Sequence, residues 1–328
     1  MTWLITGGAG FIGAHVVRAM LAAGERVAVY DDLSTGDPAR VPDDVTFVKG
    51  SVLDGTLLRR TLTDLRIDGV VHLAAKKQVG ESVERPLHYY HENVQGLRTL
   101  LEAAAGTGVR HFLFSSSAAV YGMPDVDLVT EDTPCVPLNP YGETKLAGEW
   151  LVRATGRAHG MTTACLRYFN VAGAAAGHLA DTGVSNLVPM VFEKLTAGSA
   201  PVIFGDDYAT PDGTCVRDFI HVEDIASAHL AAARALPGRE PGSDLTVNIG
   251  RGEGVSVREM ITLIGEVTGY GPATAPVAAP RRAGDPARVV ASADRVRAEL
   301  GWTARHDARA MVTSAWAGWC LRHPEARR

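Results

Sequence analysis

Residues 6–13 read TGGAGFIG and directly follow the apolar run Trp3-Leu4-Ile5. Glycines at this density behind a strand-like run call for a sharp strand-to-helix turn, because residues without a Cβ let backbone segments cross closely. Two spacings coexist, Gly8-x-Gly10-x-x-Gly13 and Gly7-x-x-Gly10-x-x-Gly13. Either one gathers backbone amides and a helix N-terminus around one point, which suits a pyrophosphate. Taken alone, the run also fits a turn that binds nothing. Asp31, 18 residues after Gly13, ends the next apolar run. A carboxylate there accepts both hydroxyls of an adenosine ribose and repels a 2′-phosphate, so the expected dinucleotide is NAD rather than NADP.

The rest of the first half repeats this rhythm. Strand-like runs at 3–6, 27–30, 45–48, 69–73, 111–115 and 163–167 alternate with helical spacing at 14–23, 56–65, 82–105 and 141–159. Such alternation predicts βαβ crossovers, hence an α/β fold with a doubly wound parallel sheet of the Rossmann type. After about residue 170 the rhythm breaks. A helix is expected over 186–198, a strand at 201–205, a helix over 221–236 and a strand at 245–250 that returns to the first sheet. A Pro/Ala/Arg-rich stretch at 272–288 and two C-terminal helices follow. The expected division is a nucleotide-binding domain over 1–170, with returning segments near 221–250, and a smaller discontinuous α/β lobe mainly over 171–328. Such a lobe closes over the carboxyl edge of the sheet, where ligands bind.

Composition excludes several classes. The net charge of −5 leaves no basic field for nucleic acid. No run approaches the roughly 18 apolar residues of a membrane span, and no basic-then-apolar leader is evident. The cytoplasm is the expected compartment. Cys135, Cys165, Cys215 and Cys320 are widely spaced free thiols, and the His88/His91 pair in HYYHE lacks a third ligand. No metal is expected.

YGETK puts Tyr141 and Lys145 one helical turn apart on one face. A tyrosine is a poor base at its ordinary pKa of about 10. A neighbouring ammonium and the positive nicotinamide ring of NAD favour the phenolate and make it a usable proton acceptor. Of the serines at 115–117, which end a predicted strand, Ser117 is the candidate to bridge substrate and tyrosine. Loop hydrogen bonding accounts for Ser115 and Ser116.

With these residues in hand, the chain resembles the extended short-chain dehydrogenase/reductases, in their UDP-glucose 4-epimerase branch. The shared stretches run along nearly the whole chain: TGGAGFIGAH, VGESVERPLHYYHENVQG, FSSSAAVYG, NPYGETKLAGE, LRYFNVAGA, NLVPMV, IFGDDYATPDGTCVRDFIHVEDIA and APRRAGDPARVVAS. The resemblance implies an isomerase that interconverts UDP-galactose and UDP-glucose with NAD retained. Tyr141 takes the proton of the sugar 4-hydroxyl while hydride passes from C4 to nicotinamide, the 4-keto sugar turns over, and hydride returns to its other face. The nucleotide must be held tightly and the sugar loosely.

By the same resemblance Gly7, Gly10, Phe11, Ile12, Gly13, Asp31, Ser51, Val52, Leu73, Ala74, Ala75, Lys77, Asn93 and Phe169 contact NAD, with Tyr141 and Lys145. Asn170, Asn186, Leu187, Val202, Phe204, Arg217, Arg282, Asp285 and Val289 hold UDP or its sugar, with Ser117 and Tyr141. The two arginines suit a pyrophosphate by charge and fork geometry. Three positions depart from the family pattern. Ser51 replaces an acid before the adenine site, Ala75 replaces a glycine, and Val289 stands where some members have a tyrosine. Valine leaves room for an N-acetylhexosamine, and UDP-pentose is a further alternative. Related dehydratases and decarboxylases carry an acid after the serine or threonine, and 117–121 reads SAAVY. A non-catalytic NAD sensor typically lacks the tyrosine or lysine, and both are present here. The resemblance also implies a homodimer through the helices at 82–105 and 141–159.

Overall fold

The computed structural model describes residues 1–271, 275–282 and 284–327. Its strands are β1 (Thr2–Thr6), β2 (Arg26–Asp31), β3 (Thr46–Lys49), β4 (Gly69–His72), β5 (His111–Ser117), β6 (Thr162–Tyr168), β7 (Asn170–Ala172), β8 (Val202–Phe204), β9 (Val216–His221), β10 (Asp244–Ile249), β11 (Gly254–Ser256), β12 (Val277–Ala279) and β13 (Arg288–Val289). Its α-helices are α1 (Phe11–Ala22), α2 (Gly55–Asp64), α3 (Val79–Glu84), α4 (Pro86–Tyr89), α5 (Gly96–Thr107), α6 (Pro140–His159), α7 (Leu187–Thr196), α8 (Val222–Ala235), α9 (Val257–Thr268), α10 (Asp294–Leu300) and α11 (Ala308–Arg322). Among the described residues no helix is long and apolar enough to cross a membrane.

Seven strands form the central sheet in the order β10-β6-β5-β4-β1-β2-β3, and every pairing in it is parallel. Alternating side chains of β1 feed two cores, as a pleated strand requires. Trp3 and Ile5 join Val16, Met20, Ile225 and Val296 under α1, α8 and α10, whereas Leu4 joins Leu58, Leu97, Phe112 and Val152 under α2, α5 and α6. Both faces are therefore covered, and β4 and β6 are buried throughout, which a parallel sheet needs. The chain leaves β1 towards β2 on one side and reaches β4 on the other, so the strand order reverses at β1. The glycine run stands at that switch point. Late in the chain β10 rejoins the sheet beside β6.

The remaining strands are short. β9 pairs with β7, β11 and β13, and β8 with β12. A third core, around Phe192, Ile264 and Trp319, packs α7, α9 and α11 together. A small fourth cluster of Val120, Leu146, Phe169 and Val289 joins the end of β5, α6, the end of β6 and β13.

The single helix expected over 82–105 is broken. Arg85, at φ −131° and ψ 57°, separates α3 from α4, because Pro86 disfavours helical geometry at the residue before it. A π-helical segment, Tyr90–Gln95, then leads into α5. The pattern also hides α9, although Ser256 and Glu259 form a reciprocal capping box at its start. Residues 272–274 and 283 of the Pro/Ala/Arg-rich stretch lie outside the described residues.

Candidate active site

The glycine run closes into a compact cradle. Gly7, at φ +73°, donates its amide to Tyr30 O at 2.9 Å, and Gly10 donates to Gly7 O at 3.1 Å. A Cβ on Gly13 would fall 2.1 Å from Gly7 O, and one on Gly7 would fall 2.7 Å from the Ala74 amide nitrogen. No side chain can be added at either place without moving backbone. Gly10 stands at the N-cap of α1, which has no side-chain cap and no acid in its first turn, so its N-terminal amides are left for an anion. Asp31, 7% exposed, accepts from the Ala9 amide at 3.0 Å and the Leu33 amide at 2.8 Å. Burial raises its pKa against those two bonds. A backbone cradle that Cβ atoms would fill, an uncapped helix start and a carboxylate at the strand end together fit a dinucleotide.

Around the cradle, Phe11 is buried and Ile12 half-buried, while Ala74 packs on Gly7. Leu73 donates its amide to Thr6 O at 3.0 Å. Ala75 is half-buried and Lys77 exposed. The Asn93 amide is fully engaged in shaping the loop after β4: its oxygen accepts from the Lys76 amide at 2.8 Å, and its nitrogen donates to Lys76 O and Thr144 Oγ1, both at 3.0 Å. At the outer edge Ser51 Oγ accepts from the Leu53 amide at 3.2 Å, and Ser51 O accepts from the Tyr30 hydroxyl at 2.9 Å. Val52 is buried beside it.

Ser117 ends β5 and Tyr141 lies in the first turn of α6, which Asn139 caps by accepting the Gly142 amide at 2.9 Å. Ser117 Oγ accepts from the Ala119 amide at 3.2 Å. Lys145, 5% exposed, donates from Nζ to Ser115 O at 2.8 Å and lies 5.9 Å from the centre of the Tyr141 ring. The electrostatics differ from the sequence expectation. Burial pushes the Tyr141 phenol upwards, and a hydrogen bond with Ser117 works the other way. Burial also lowers Lys145 to about 8. Desolvation is the leading cause for both groups.

Behind this pair sits a polar network that sequence reasoning missed. Glu149, fully buried on α6, accepts from Ser116 Oγ at 2.6 Å and from Arg167 Nε at 2.8 Å and Nη2 at 2.7 Å. Arg167 also donates to the Tyr121 hydroxyl at 2.8 Å, which donates to Asn248 Oδ1 at 2.7 Å. The signal was present, since Glu149 follows Lys145 by one further turn of the same face. Asp218 was missed as well. It is fully buried and accepts from the amides of Arg251 and Gly252, both at 2.9 Å, and Ala291 at 3.2 Å.

The residues expected to hold a nucleotide sugar fall into pairs. Arg217 on β9 forms a 2.5 Å ion pair with Asp285. The Arg282 guanidinium lies 3.8 Å from the centre of the half-buried Phe204 ring on β8, where Val202 also sits. Val289 on β13 is 9% exposed and stands in register with Arg217. Asn186 precedes α7 and donates to Asp181 Oδ2 at 3.0 Å, with Leu187 next to it. Phe169 is buried and Asn170 exposed where β6 passes into β7.

Residues 3–250 match the NAD dependent epimerase/dehydratase family. The chain is 44% identical over 321 residues to a UDP-glucose 4-epimerase of Corynebacterium glutamicum, covering 97% of this chain and 95% of that protein. It is 46% identical over 309 residues to one of Azospirillum brasilense, covering 93% and 87%. A solved UDP-glucose-4-epimerase of Stenotrophomonas maltophila, with bound NAD and formylated UDP-arabinopyranose, superposes with a TM-score of 0.93 at 38% identity and 99% coverage of each chain. With the cradle, the switch point and these likenesses all lying along one continuous chain, the protein belongs to the NAD dependent epimerase/dehydratase family.

Proposed function

We propose that the protein is a C4 epimerase of a UDP-hexose, interconverting UDP-galactose and UDP-glucose through a transient 4-keto sugar with NAD retained. The observation that supports this reading is a tyrosine, Tyr141, that shares a hydrogen bond with Ser117 at the end of β5 and a helix with Lys145, on the same parallel sheet as the glycine cradle, with no acid in 118–121. Elimination or decarboxylation lacks its proton-transfer group there. NAD, when bound, supplies a hydride acceptor that becomes the donor for the return step.

The cradle glycines, Asp31, and the surrounding residues named above from Phe11 to Phe169 bind and orient the cofactor. Tyr141 Oη takes the proton of the sugar 4-hydroxyl and gives it back after the sugar has turned, and Ser117 Oγ bridges the two oxygens. Lys145, held by Ser115 O, keeps positive charge beside the phenol. Arg217 and Arg282 hold the pyrophosphate, while Asn170, Asn186, Leu187, Val202, Phe204, Asp285 and Val289 line the nucleotide sugar. Anchoring the diphosphate leaves the sugar free to rotate.

NAD-loaded protein mixed with UDP-galactose, without added redox equivalents, should form UDP-glucose. No conversion would sink the reading. A second reading, an N-acetylhexosamine substrate, is favoured by Val289, whose small side chain adjoins Arg217. Turnover of UDP-N-acetylglucosamine in place of UDP-galactose would select it.

The proposal extends to a nucleotide domain over 1–170 with a sugar-binding lobe mainly over 171–328, and to a cytoplasmic homodimer. Val83, Leu87 and Trp150 are 62%, 83% and 60% exposed on α3, α4 and α6, an apolar surface suited to a second copy. Light scattering should give twice the chain mass, and Leu87→Asp with Trp150→Glu should halve it. A monomeric wild type rules the dimer out. Free rather than paired thiols favour a reducing compartment; recovery of the native enzyme in an extracellular fraction would overturn that placement.

A further inference from the structure

A cluster of ligating side chains stands apart from the site above. His221 ends β9 and caps α8, Glu223 lies in the first turn of α8, and His306 sits between α10 and α11. Their ligand atoms all lie within 4.8 Å of one another. Glu223 Oε2 is 3.8 Å from His221 Nδ1 and 3.7 Å from His306 Nε2. The two imidazoles stack with centroids 4.3 Å apart and planes 26° from parallel.

The far nitrogen of each ring already has a partner. His306 Nδ1 lies 3.1 Å from Asp224 Oδ1, and the buried Asp224 carboxylate also accepts the amides of Arg305 at 3.1 Å and His306 at 3.0 Å. His221 Nε2 lies 3.0 Å from Ser314 Oγ. With protons on those two nitrogens, the lone pairs of His306 Nε2 and His221 Nδ1 turn towards Glu223. An imidazole oriented by a carboxylate or hydroxyl behind it is the usual supporting arrangement for a metal-ligating histidine. His221 Nδ1 also accepts the Glu223 amide at 3.1 Å, a contact that an ion would replace.

We propose that His221, Glu223 and His306 form a binding site for a divalent ion of the zinc type, held by two nitrogens and one carboxylate oxygen with a fourth position for water. Imidazole with carboxylate suits zinc. Tetrahedral ligands at zinc bond lengths lie about 3.4 Å apart, so the donor atoms need only close in, and His306 swings out of its stack on His221 to aim Nε2 at the ion. Glu223 and His306 side chains are 44% and 34% exposed and supply most of that movement, while the buried His221 ring turns its Nδ1 from the Glu223 amide to the ion. The ion clips the segment ahead of α11 onto the start of α8. It shares no residue with the cradle or with Ser117, Tyr141 and Lys145, so its effect is on stability rather than turnover.

The test is equilibrium dialysis of the metal-stripped full chain against Zn²⁺, with Co²⁺ as a spectroscopic probe of the ligand set. One ion per chain and a raised thermal midpoint are expected. Glu223→Gln and His306→Ala should each weaken binding by about tenfold or more, with wild-type circular dichroism and unchanged epimerase turnover. Glu223→Gln keeps the shape and hydrogen bonding of the site, so it tests the ligand even if His306→Ala folds poorly. Absence of stoichiometric binding, or wild-type affinity in either folded variant, overturns the proposal.

Discussion

At Tyr141 burial and hydrogen bonding pull in opposite directions, and the phenol stays above its ordinary range among the protein's own groups. The proposed role of this tyrosine as a base therefore requires positive charge close by, which Lys145 and a bound nicotinamide ring would supply. Tyr141→Phe removes the acceptor alone. Turnover should fall by at least the 10²–10⁴-fold typical of a lost acid–base group, with NAD content unchanged by absorbance; wild-type turnover would refute the assignment. Lys145 carries a second consequence, for stability. Its ammonium titrates near 8 in the fold against an ordinary 10.5. Between those values the unfolded chain binds the extra proton, so stability gains from this group as pH rises through 8. Lys145→Met lacks that dependence. The thermal midpoint of the variant relative to wild type should be greatest near pH 7 and shrink towards pH 10, and a constant difference would mean that the charge is not buried.

One turn beyond Lys145, the fork of Arg167 on β6 grips Glu149 and so fixes the rotation of α6 against β5 and β6. The side chains of Glu149 and Arg167 are 0% and 4% exposed, so truncating one partner strands a buried charge. Glu149→Ala should cost about 3–5 kcal/mol in urea unfolding; a loss below about 1 kcal/mol would show the pair to be dispensable. The same helix shows what a sequence makes legible. Tyr141 and Lys145 belong to one short periodicity, and the glycine run with Asp31 belongs to one βαβ unit, so neighbours along the chain suffice to place them on one helix face and at one strand-to-helix turn. Arg167 meets Glu149 only because β6 lies beside β5, a pairing that no local pattern encodes. Likewise the break at Arg85 was signalled by Pro86, but the π-helical segment carries Asn93, whose partners Lys76 and Thr144 lie far along the chain on either side. Strands β11 to β13 are only two or three residues long. Their existence is set by what they pair with, not by propensity.

Across the whole molecule, buried neutral histidines tie separate elements together. His15 on α1 accepts the Ala175 amide at 3.1 Å, beyond β7. His72 on β4 lies 2.7 Å from Thr6 Oγ1 on β1, and His229 on α8 is hydrogen-bonded to the Tyr168 hydroxyl on β6. Burial, the leading cause in each, lowers His15 to about 4, His72 to about 3 and His229 to about 4, from an ordinary 6.5. Below pH 6.5 the unfolded chain takes up protons that these sites refuse, so the stability they contribute is full above 6.5 and drains away as pH falls towards 4. At pH 5 each histidine accounts for about 2 kcal/mol. Asp218 acts in the opposite sense, because burial raises it to about 6 from 3.8 and the folded state holds its proton there. Three histidines outweigh one carboxylate. The urea midpoint should therefore drop markedly between pH 7.5 and pH 5, by several kcal/mol of unfolding free energy. Equal midpoints at the two pH values would mean that these histidines reach water or change protonation within the native fold.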